Sequence, residues 1–450
     1  MSVQSFLLRA ALPLCVVVSL AQQAPSPVHL VILSVDGLMP SAYTGPDSAR
    51  LPTLRSLARE GAYAEGVVGV VPSVTYASHT TLITGVPPAV HGVYGNSVFD
   101  PERKTNNAWY WYARTIQAPT LISASRARGM STAAVSWPVS VGMEADYLVP
   151  EYWRPNSSDP SDAFLLRAIS TRGLLDDIEA TRKKPLAWPF KDQDRTDMAV
   201  HILTAQRPRV MLLHLVGLDS AQHSSGPGSS RAVETQVEMD GYVRQVRDAI
   251  TRAGMADRTY LVIVSDHGFA PIERQLQPNA LFKKEGLLTV DAVGQVTGWQ
   301  AYYHAEGGAG FVHLQNPDDQ ALVARVRALL DGLKADPANG IASIWTRQDL
   351  ARFGAAPKAT FGIGMKSGSY SGAGHDALLV PTRSRGGHGF DPTMPELHAS
   401  LIVSGPAARG RGSLGVVRMT QIAPTLAGLI GATLSPQADT PLDLTPAKVR

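Results

Sequence analysis

The chain has 450 residues, of which 44% are hydrophobic and 18% charged, and its mean hydropathy is -0.03. That is far more apolar material than a disordered chain carries, so a packed globular fold is expected. A net charge of +3 is small for this length and makes no case for a nucleic-acid polymer or a membrane surface as partner.

Residues 1–22 differ from the rest. Arg9 is their only charge, and an apolar run from Ala11 to Leu20 ends in Ser19-Leu20-Ala21. This is the pattern of a signal peptide with a small-residue cleavage site, and it predicts an exported protein, periplasmic or secreted, whose mature chain starts at about residue 23. The run is shorter than the roughly 20 apolar residues a spanning helix needs, so no membrane span is expected. Cys15, the single cysteine, lies inside this segment and follows Leu14 rather than a small residue, which argues against a lipid anchor. The mature chain would then hold no thiol and no disulfide, as suits an exported protein large enough to stand on its own core.

Apolar runs and helical patterns then alternate. Val28 to Val35 reads as a strand ending at Asp36, and Pro52 to Glu60 as a helix with proline in its first turn and Gly61 after it. Val67 to Val71 reads as strand and Tyr76 to Thr84 as helix, which puts Thr75 at a helix N-terminus. Arg209 to Val216 is a strand ending near Asp219, Arg231 to Arg252 an amphipathic helix, and Tyr260 to Val264 a strand ending at Asp266-His267. A last helix is expected over Met419 to Ile430. Near-continuous apolar runs mark strands buried on both faces of a parallel sheet. Strand and helix in alternation predict a doubly wound, mostly parallel α/β sheet. The stretch from Pro271 to Arg385 departs from this pattern. It offers a strand at Gly310 to Leu314, a helix at Asp318 to Lys334 and a Gly/Ser-rich tract from Gly362 to Gly374, and is expected to form a smaller lobe (271–385) inserted in a catalytic domain spanning 23–450.

Ligands of such sheets bind beyond the carboxyl ends of the strands, where Asp36, Asp219, Asp266 and His267 fall. Asp219 and His223 are four apart, so one helical turn would turn both toward one cation. His388 sits in Gly-Gly-His-Gly-Phe. Singly, an Asp at a strand end is a helix cap or turn former. Three carboxylates and three imidazoles gathered at separate strand ends are instead a donor set suited to two zinc ions. A pair of ions about 4 Å apart can hold both the attacking and the leaving oxygen of an in-line displacement. Thr75 would be the nucleophile. Its hydroxyl is weak when free, but two metal ions can bind it as the alkoxide, and helix-start N–H groups favour an anion there. Asn96, in His-Gly-Val-Tyr-Gly-Asn, offers an amide to a phosphoryl oxygen.

Val-Asp-Gly at Asp36, the Thr75 block ending in Thr-Gly, His-Gly-x-x-x-Asn at Asn96, Asp-Ser-x-x-His at 219–223, Ser-Asp-His-Gly at 265–268 and Gly-His-Gly-Phe-Asp at 387–391 resemble the nucleotide pyrophosphatase/phosphodiesterase branch of the alkaline phosphatase superfamily. The order and spacing match over residues 28 to 430. The resemblance implies one zinc on Asp219, His223 and His388, another on Asp36, Asp266 and His267, and Thr75 bridging both. It also implies an alkaline phosphatase-like fold and a small phosphate ester or nucleotide as substrate. Tyr76 falls where the family has a base-stacking aromatic, and Tyr152 where a second is expected. The chain departs from the family in having Ala77-Ser78-His79 for Pro-Asn-His, and Gly217-Leu218 for Glu-Pro.

Sulfatases of the superfamily need a Cys or Ser nucleophile in a Cys/Ser-x-Pro-x-Arg block, and phosphoglycerate mutases need serine; neither is present. Three readings remain: a diesterase or nucleotide pyrophosphatase, a phosphate monoesterase, and an inactive exported module that binds metal or a ligand. Monoesterases that use threonine place a Lys and an Arg over the doubly charged phosphoryl group, whereas Val135 to Gly142 holds no basic residue and resembles the diesterase segment.

Overall fold

The computed structural model describes residues 27–105, 108–153 and 161–445. The expected signal segment and Cys15 lie outside the described residues. Among the described residues no helix is long and apolar enough to cross a membrane.

The strand His29–Val35 is buried at all seven positions, as its unbroken apolar run requires. It pairs in parallel with Val210–Leu215 on one side and Thr259–Val264 on the other. These belong to an eight-stranded sheet in the order 412–413, 62–63, 401–404, 259–264, 29–35, 210–215, 132–135, 147–149. The strands from 259–264 through 147–149 run parallel, and Leu401–Ser404 joins antiparallel beside Thr259–Val264. The fold is therefore mixed α/β around a large, mostly parallel sheet.

Side-chain alternation along His29–Val35 feeds two cores. Val31, Leu33 and Val35 pack with residues of helices Pro52–Glu60, Asp192–Ala205 and Ser230–Arg252, while Leu30 and Ile32 pack with residues of Thr75–Thr84 and Ile422–Ile430. The parallel register aligns the strand ends. Val35 lies opposite Leu215, and Ser34 opposite Val264, so Asp36, Gly217 and Asp266 leave the sheet at one edge.

Between residues 270 and 387 the chain builds smaller sheets. Ala301–Glu306, Ala309–Leu314, Phe361–Met365 and Ile341–Thr346 form a four-stranded antiparallel sheet, covered by helix Gln320–Ala335 through Leu322, Val326 and Leu330. The Gly/Ser-rich tract holds two strands, Phe361–Met365 and Gly368–Ser371. Its glycines make room: a Cβ at Gly362 or Gly364 would lie 2.7 Å from the Trp345 ring. Strand Ala270–Leu276 pairs with Gly386–Gly387, which delivers His388 to the edge of the main sheet.

Helix Pro52–Glu60 has Leu51 in its cap position and no local side-chain cap. Asp240, buried on helix Ser230–Arg252, accepts from the N–H groups of Thr53 (3.2 Å) and Leu54 (2.8 Å) instead. Asp240→Ala leaves two helix donors without partners and should destabilise the fold by about 1–3 kcal/mol. The expected result is a lower urea midpoint at unchanged slope. An unchanged midpoint would show that the contact does not hold the helix.

Candidate metal centre

Asp36, Asp266 and His267 gather into one group, and Asp219, His223 and His388 into a second. Within each group the ligand atoms lie within 4.8 Å of one another. The imidazoles of His267 and His388 stack at 3.6 Å between centroids, so the two groups adjoin. Helix Gly217–Ser225 carries Asp219 and His223 on one face, as their spacing predicts, with the His223 Nε2 3.3 Å from Asp219 Oδ1.

Five of the six side chains are held by one atom, and the sixth, Asp219, has its Oδ1 without a hydrogen-bond partner. Asp266 Oδ1 accepts from the N–H groups of Gly37 and His267, both at 3.1 Å, while Oδ2 has no hydrogen-bond partner and lies 3.2 Å from His267 Nε2. Asp36 Oδ2 shares a hydrogen bond with His214 at 3.2 Å, leaving Oδ1 unpaired and 3.4 Å from the same Nε2. All three imidazoles are anchored at Nδ1 by backbone carbonyls: His267 by Gly268, His223 by Gly386 and His388 by Ser73. A neutral ring that donates from Nδ1 presents a bare lone pair on Nε2, which is how metal-bound histidines are oriented. Gly37 has φ of 70°, and a Cβ there would strike Gln222 and Phe269, so the turn behind Asp36 requires glycine.

Burial drives the electrostatics. It pushes the Asp36 carboxyl well up, helped by the neighbouring Asp266 and Asp219 carboxylates, and it raises Asp266 as well. Burial also holds His388 well below the usual imidazole range and brings His267 down to about 4, so both rings are neutral at pH 7. His223 goes the other way: burial disfavours its charge, but Asp219 outweighs that and raises it. Among the described residues no Lys or Arg forms an ion pair with Asp36, Asp219 or Asp266. Unpaired buried carboxylate oxygens facing imidazole Nε2 atoms fit a divalent cation in each group.

Thr75 is the first residue of helix Thr75–Thr84, and Val74 occupies the cap position with no side-chain cap bond. The threonine is therefore not a capping residue. It is half-buried, whereas Tyr76 to Thr84 are buried throughout. Asn96 lies alongside: its Oδ1 accepts from the Tyr76 N–H at 2.9 Å, which leaves the amide NH2 as the group able to donate outward.

The aromatic expectation needs correction. Tyr76 is 1% exposed and covered edge-on by Trp109 and Trp111, at 5.3 and 5.8 Å between centroids, so its face is closed to a base. Tyr152 is half-buried and packs on Trp111 at 5.1 Å, with Trp153 against Trp109 at 4.8 Å. The aromatic wall is thus larger than Tyr76 and Tyr152. Trp109 and Trp111 come from a loop with no periodic pattern to reveal them.

The sequence profile of type I phosphodiesterase / nucleotide pyrophosphatase matches residues 30–360. The chain belongs to that family. Human ectonucleotide pyrophosphatase/phosphodiesterase family member 1 is 23% identical over 249 residues, covering 53% of this chain and 23% of the relative. An uncharacterized pyrophosphatase/phosphodiesterase of Schizosaccharomyces pombe is 23% identical over 280 residues, covering 60% and 50%. The chain thus spans about a quarter to a half of the length of these curated relatives. The human ectonucleotide pyrophosphatase/phosphodiesterase 5 structure superposes with a TM-score of 0.66 at 17% identity, covering 92% of this chain and 97% of that one. The murine counterpart, an inactive threonine-to-alanine variant in complex with AMP, gives 0.64.

In this phosphodiesterase-family chain the supporting residues include His79, from the Thr75 block, and Asp192 and Arg195, which carry no local sequence signal. His79 binds the Thr75 carbonyl at 2.8 Å and the Ser34 hydroxyl at 2.8 Å, and lies 3.6 Å from Asp266. Asp192 accepts from the N–H groups of Val216 (3.0 Å) and Gly217 (2.7 Å), fixing the start of the helix that carries Asp219 and His223. Arg195 donates to Asp192 at 2.9 Å and to Ser136 Oγ at 3.2 Å, beneath the Val135 to Gly142 segment. That segment holds Ser136 at φ 51° and Val139 at φ 58°, a left-handed conformation costly for a β-branched residue.

A thousandfold excess of divalent ion over its Kd should stabilise the chelator-stripped protein by about 4 kcal/mol per site. Differential scanning fluorimetry should therefore show melting several degrees higher after zinc is restored. Identical melting of stripped and refilled protein would contradict a metal centre.

Proposed function

We propose that the chain is an exported phosphodiesterase or nucleotide pyrophosphatase that uses two zinc ions and hydrolyses its substrate through a phospho-threonine intermediate on Thr75. The catalytic domain would run over residues 23–450, with 271–385 as an inserted lobe. The observation that carries this reading is the paired donor set, in which five of the six side chains (Asp36, Asp266, His223, His267 and His388) are held by a hydrogen bond at one atom, and Asp219 Oδ1 has no hydrogen-bond partner. Asp219, His223 and His388 would hold one zinc, Asp36, Asp266 and His267 the other, with Thr75 between them. The ions would supply Lewis-acid stabilisation of the charge on the reacting oxygens.

The chain's own residues do the rest. Thr75 loses its hydroxyl proton, and its Oγ forms a bond to phosphorus as the bond to the leaving oxygen breaks; that oxygen takes up a proton. The Asn96 NH2 donates to a non-bridging phosphoryl oxygen, held at that angle by the Tyr76 N–H. Water then cleaves the Thr75–phosphate ester and regenerates the hydroxyl. Tyr152 and the tryptophans around it offer an apolar wall to the second substituent of a diester, with Tyr76 supporting that wall from behind. The inactivity of the murine threonine-to-alanine relative, and its AMP, agree with a threonine nucleophile and a nucleotide substrate. Export agrees with relatives named as venom phosphodiesterases and ectoenzymes.

Diesters are favoured over monoesters because the groups around the phosphoryl position provide little added positive charge. Arg195 comes near the Val135 to Gly142 segment, but its guanidinium is already paired with Asp192. A monoester brings one more negative charge, which calls for a cation this segment lacks.

Two experiments test this. Thr75→Ala should lose roughly three orders of magnitude in kcat while keeping its fold and most of its zinc; retention of a tenth of wild-type turnover would remove Thr75 from the chemistry. Compared under one condition, kcat/KM should be higher for bis-p-nitrophenyl phosphate and p-nitrophenyl thymidine phosphate than for p-nitrophenyl phosphate. A tenfold preference for the monoester would overturn the diesterase assignment and leave the metal centre standing.

A further inference from the structure

Asn96 sits in a loop, and loops position catalytic donors poorly unless something rigid holds them. Here the hold comes from more than 200 residues away. Glu306 ends strand Ala301–Glu306, and its side chain is 4% exposed. Its Oε2 accepts from the Asn96 N–H at 2.9 Å. Its Oε1 accepts from the Ser97 N–H at 3.3 Å, the Ser97 hydroxyl at 3.2 Å and His304 Nε2 at 2.9 Å. His304 Nε2 is also 2.9 Å from the Ser97 hydroxyl. No Lys or Arg forms an ion pair with Glu306 among the described residues, so these donors are what offset its buried charge. The approach is close enough that a Cβ on Gly95 would lie 2.4 Å from the Glu306 carboxyl.

The same hairpin touches the metal centre. Two residues after Glu306, the Gly308 N–H donates to the His388 carbonyl at 2.8 Å. One rigid turn of the small antiparallel sheet thus grips both the loop that carries Asn96 and the backbone of a candidate metal ligand. Nothing in the mechanism above uses Glu306, yet a buried carboxylate tied to consecutive loop amides is more than packing demands.

We infer that Glu306 is a positioning residue: it fixes the 94–97 loop so that the Asn96 amide meets the phosphoryl oxygen, and it makes the small sheet part of the catalytic apparatus. The inference rests on the Asn96 role proposed above. Glu306→Gln keeps the side chain's shape but turns one acceptor into a donor facing an N–H or hydroxyl donor. The loop should then shift while the metal ligands stay.

The experiment is a double-mutant cycle on the zinc-loaded full chain with Asn96→Ala, Glu306→Gln and the pair. Glu306→Gln should lower kcat on bis-p-nitrophenyl phosphate by about 10–100-fold, with KM changed less than threefold and zinc content at the wild-type level. Added to Asn96→Ala, it should cost less than a further twofold, because both changes remove one donor. Calorimetric affinity for orthovanadate should follow the same pattern, and it reads the loop even if no ester proves to be a substrate. In that event the diesterase reading falls and the Glu306 inference is judged on vanadate alone. Losses that multiply in the double variant, or a zinc-replete Glu306→Gln with wild-type kcat and vanadate affinity, would overturn it. Should Glu306→Gln fail to fold, hydrogen exchange on the wild type decides. The Asn96 and Ser97 amides should be as protected as the small sheet, and rapid exchange there would refute the clamp.

Discussion

Three carboxylates face one another in a buried centre that, among the described residues, no lysine or arginine pairs with, and the surrounding structure is arranged around that conflict. Two unit charges 4 Å apart repel by about 4 kcal/mol even at an effective dielectric constant near 20. A typical hydrogen bond contributes about 1 kcal/mol net, so the few backbone N–H groups that reach Asp266 do not offset such repulsion. Cations do. The neutral imidazoles complete the case, since burial keeps His267 and His388 uncharged and their Nδ1 atoms are already committed to backbone carbonyls.

Each layer of the fold contributes a fixed direction. The parallel register brings Asp36, Gly217 and Asp266 out at one edge, and Asp192 secures the start of the helix that follows. The Thr75 helix is buried along its length except at its first residue, which leaves that hydroxyl at the open end of a rigid rod. The small antiparallel sheet reaches back through Glu306 and Gly308 to the opposite wall. The region around the Thr75 hydroxyl is thus bounded by groups from distant parts of the chain.

The strands and their terminal carboxylates were legible because doubly buried strands read as unbroken apolar runs, and a polar residue at the end of such a run stands out. Asp219 and His223 were legible through helical spacing, and Thr75 through the helix that begins at it. What escaped is non-local. Glu306 meets Asn96 across 210 positions, and nothing near either residue announces the other. Gly362 and Gly364 belong to a Gly/Ser-rich tract that carries no strand pattern, yet they are strand residues that clear space for Trp345. The base-stacking role inherited for Tyr76 failed for a related reason. Sequence gives the ring, but its cover of Trp109 and Trp111 comes from a loop whose path no periodicity predicts.

The central claim is that the six donors exist to hold two cations side by side. Anomalous diffraction at the zinc edge, on crystals of protein purified without chelators, tests it most directly. The account predicts two peaks about 4 Å apart, one among Asp219, His223 and His388 and the other among Asp36, Asp266 and His267, both within reach of the Thr75 hydroxyl. No peak between these side chains, or a single ion bound away from Thr75, would contradict it.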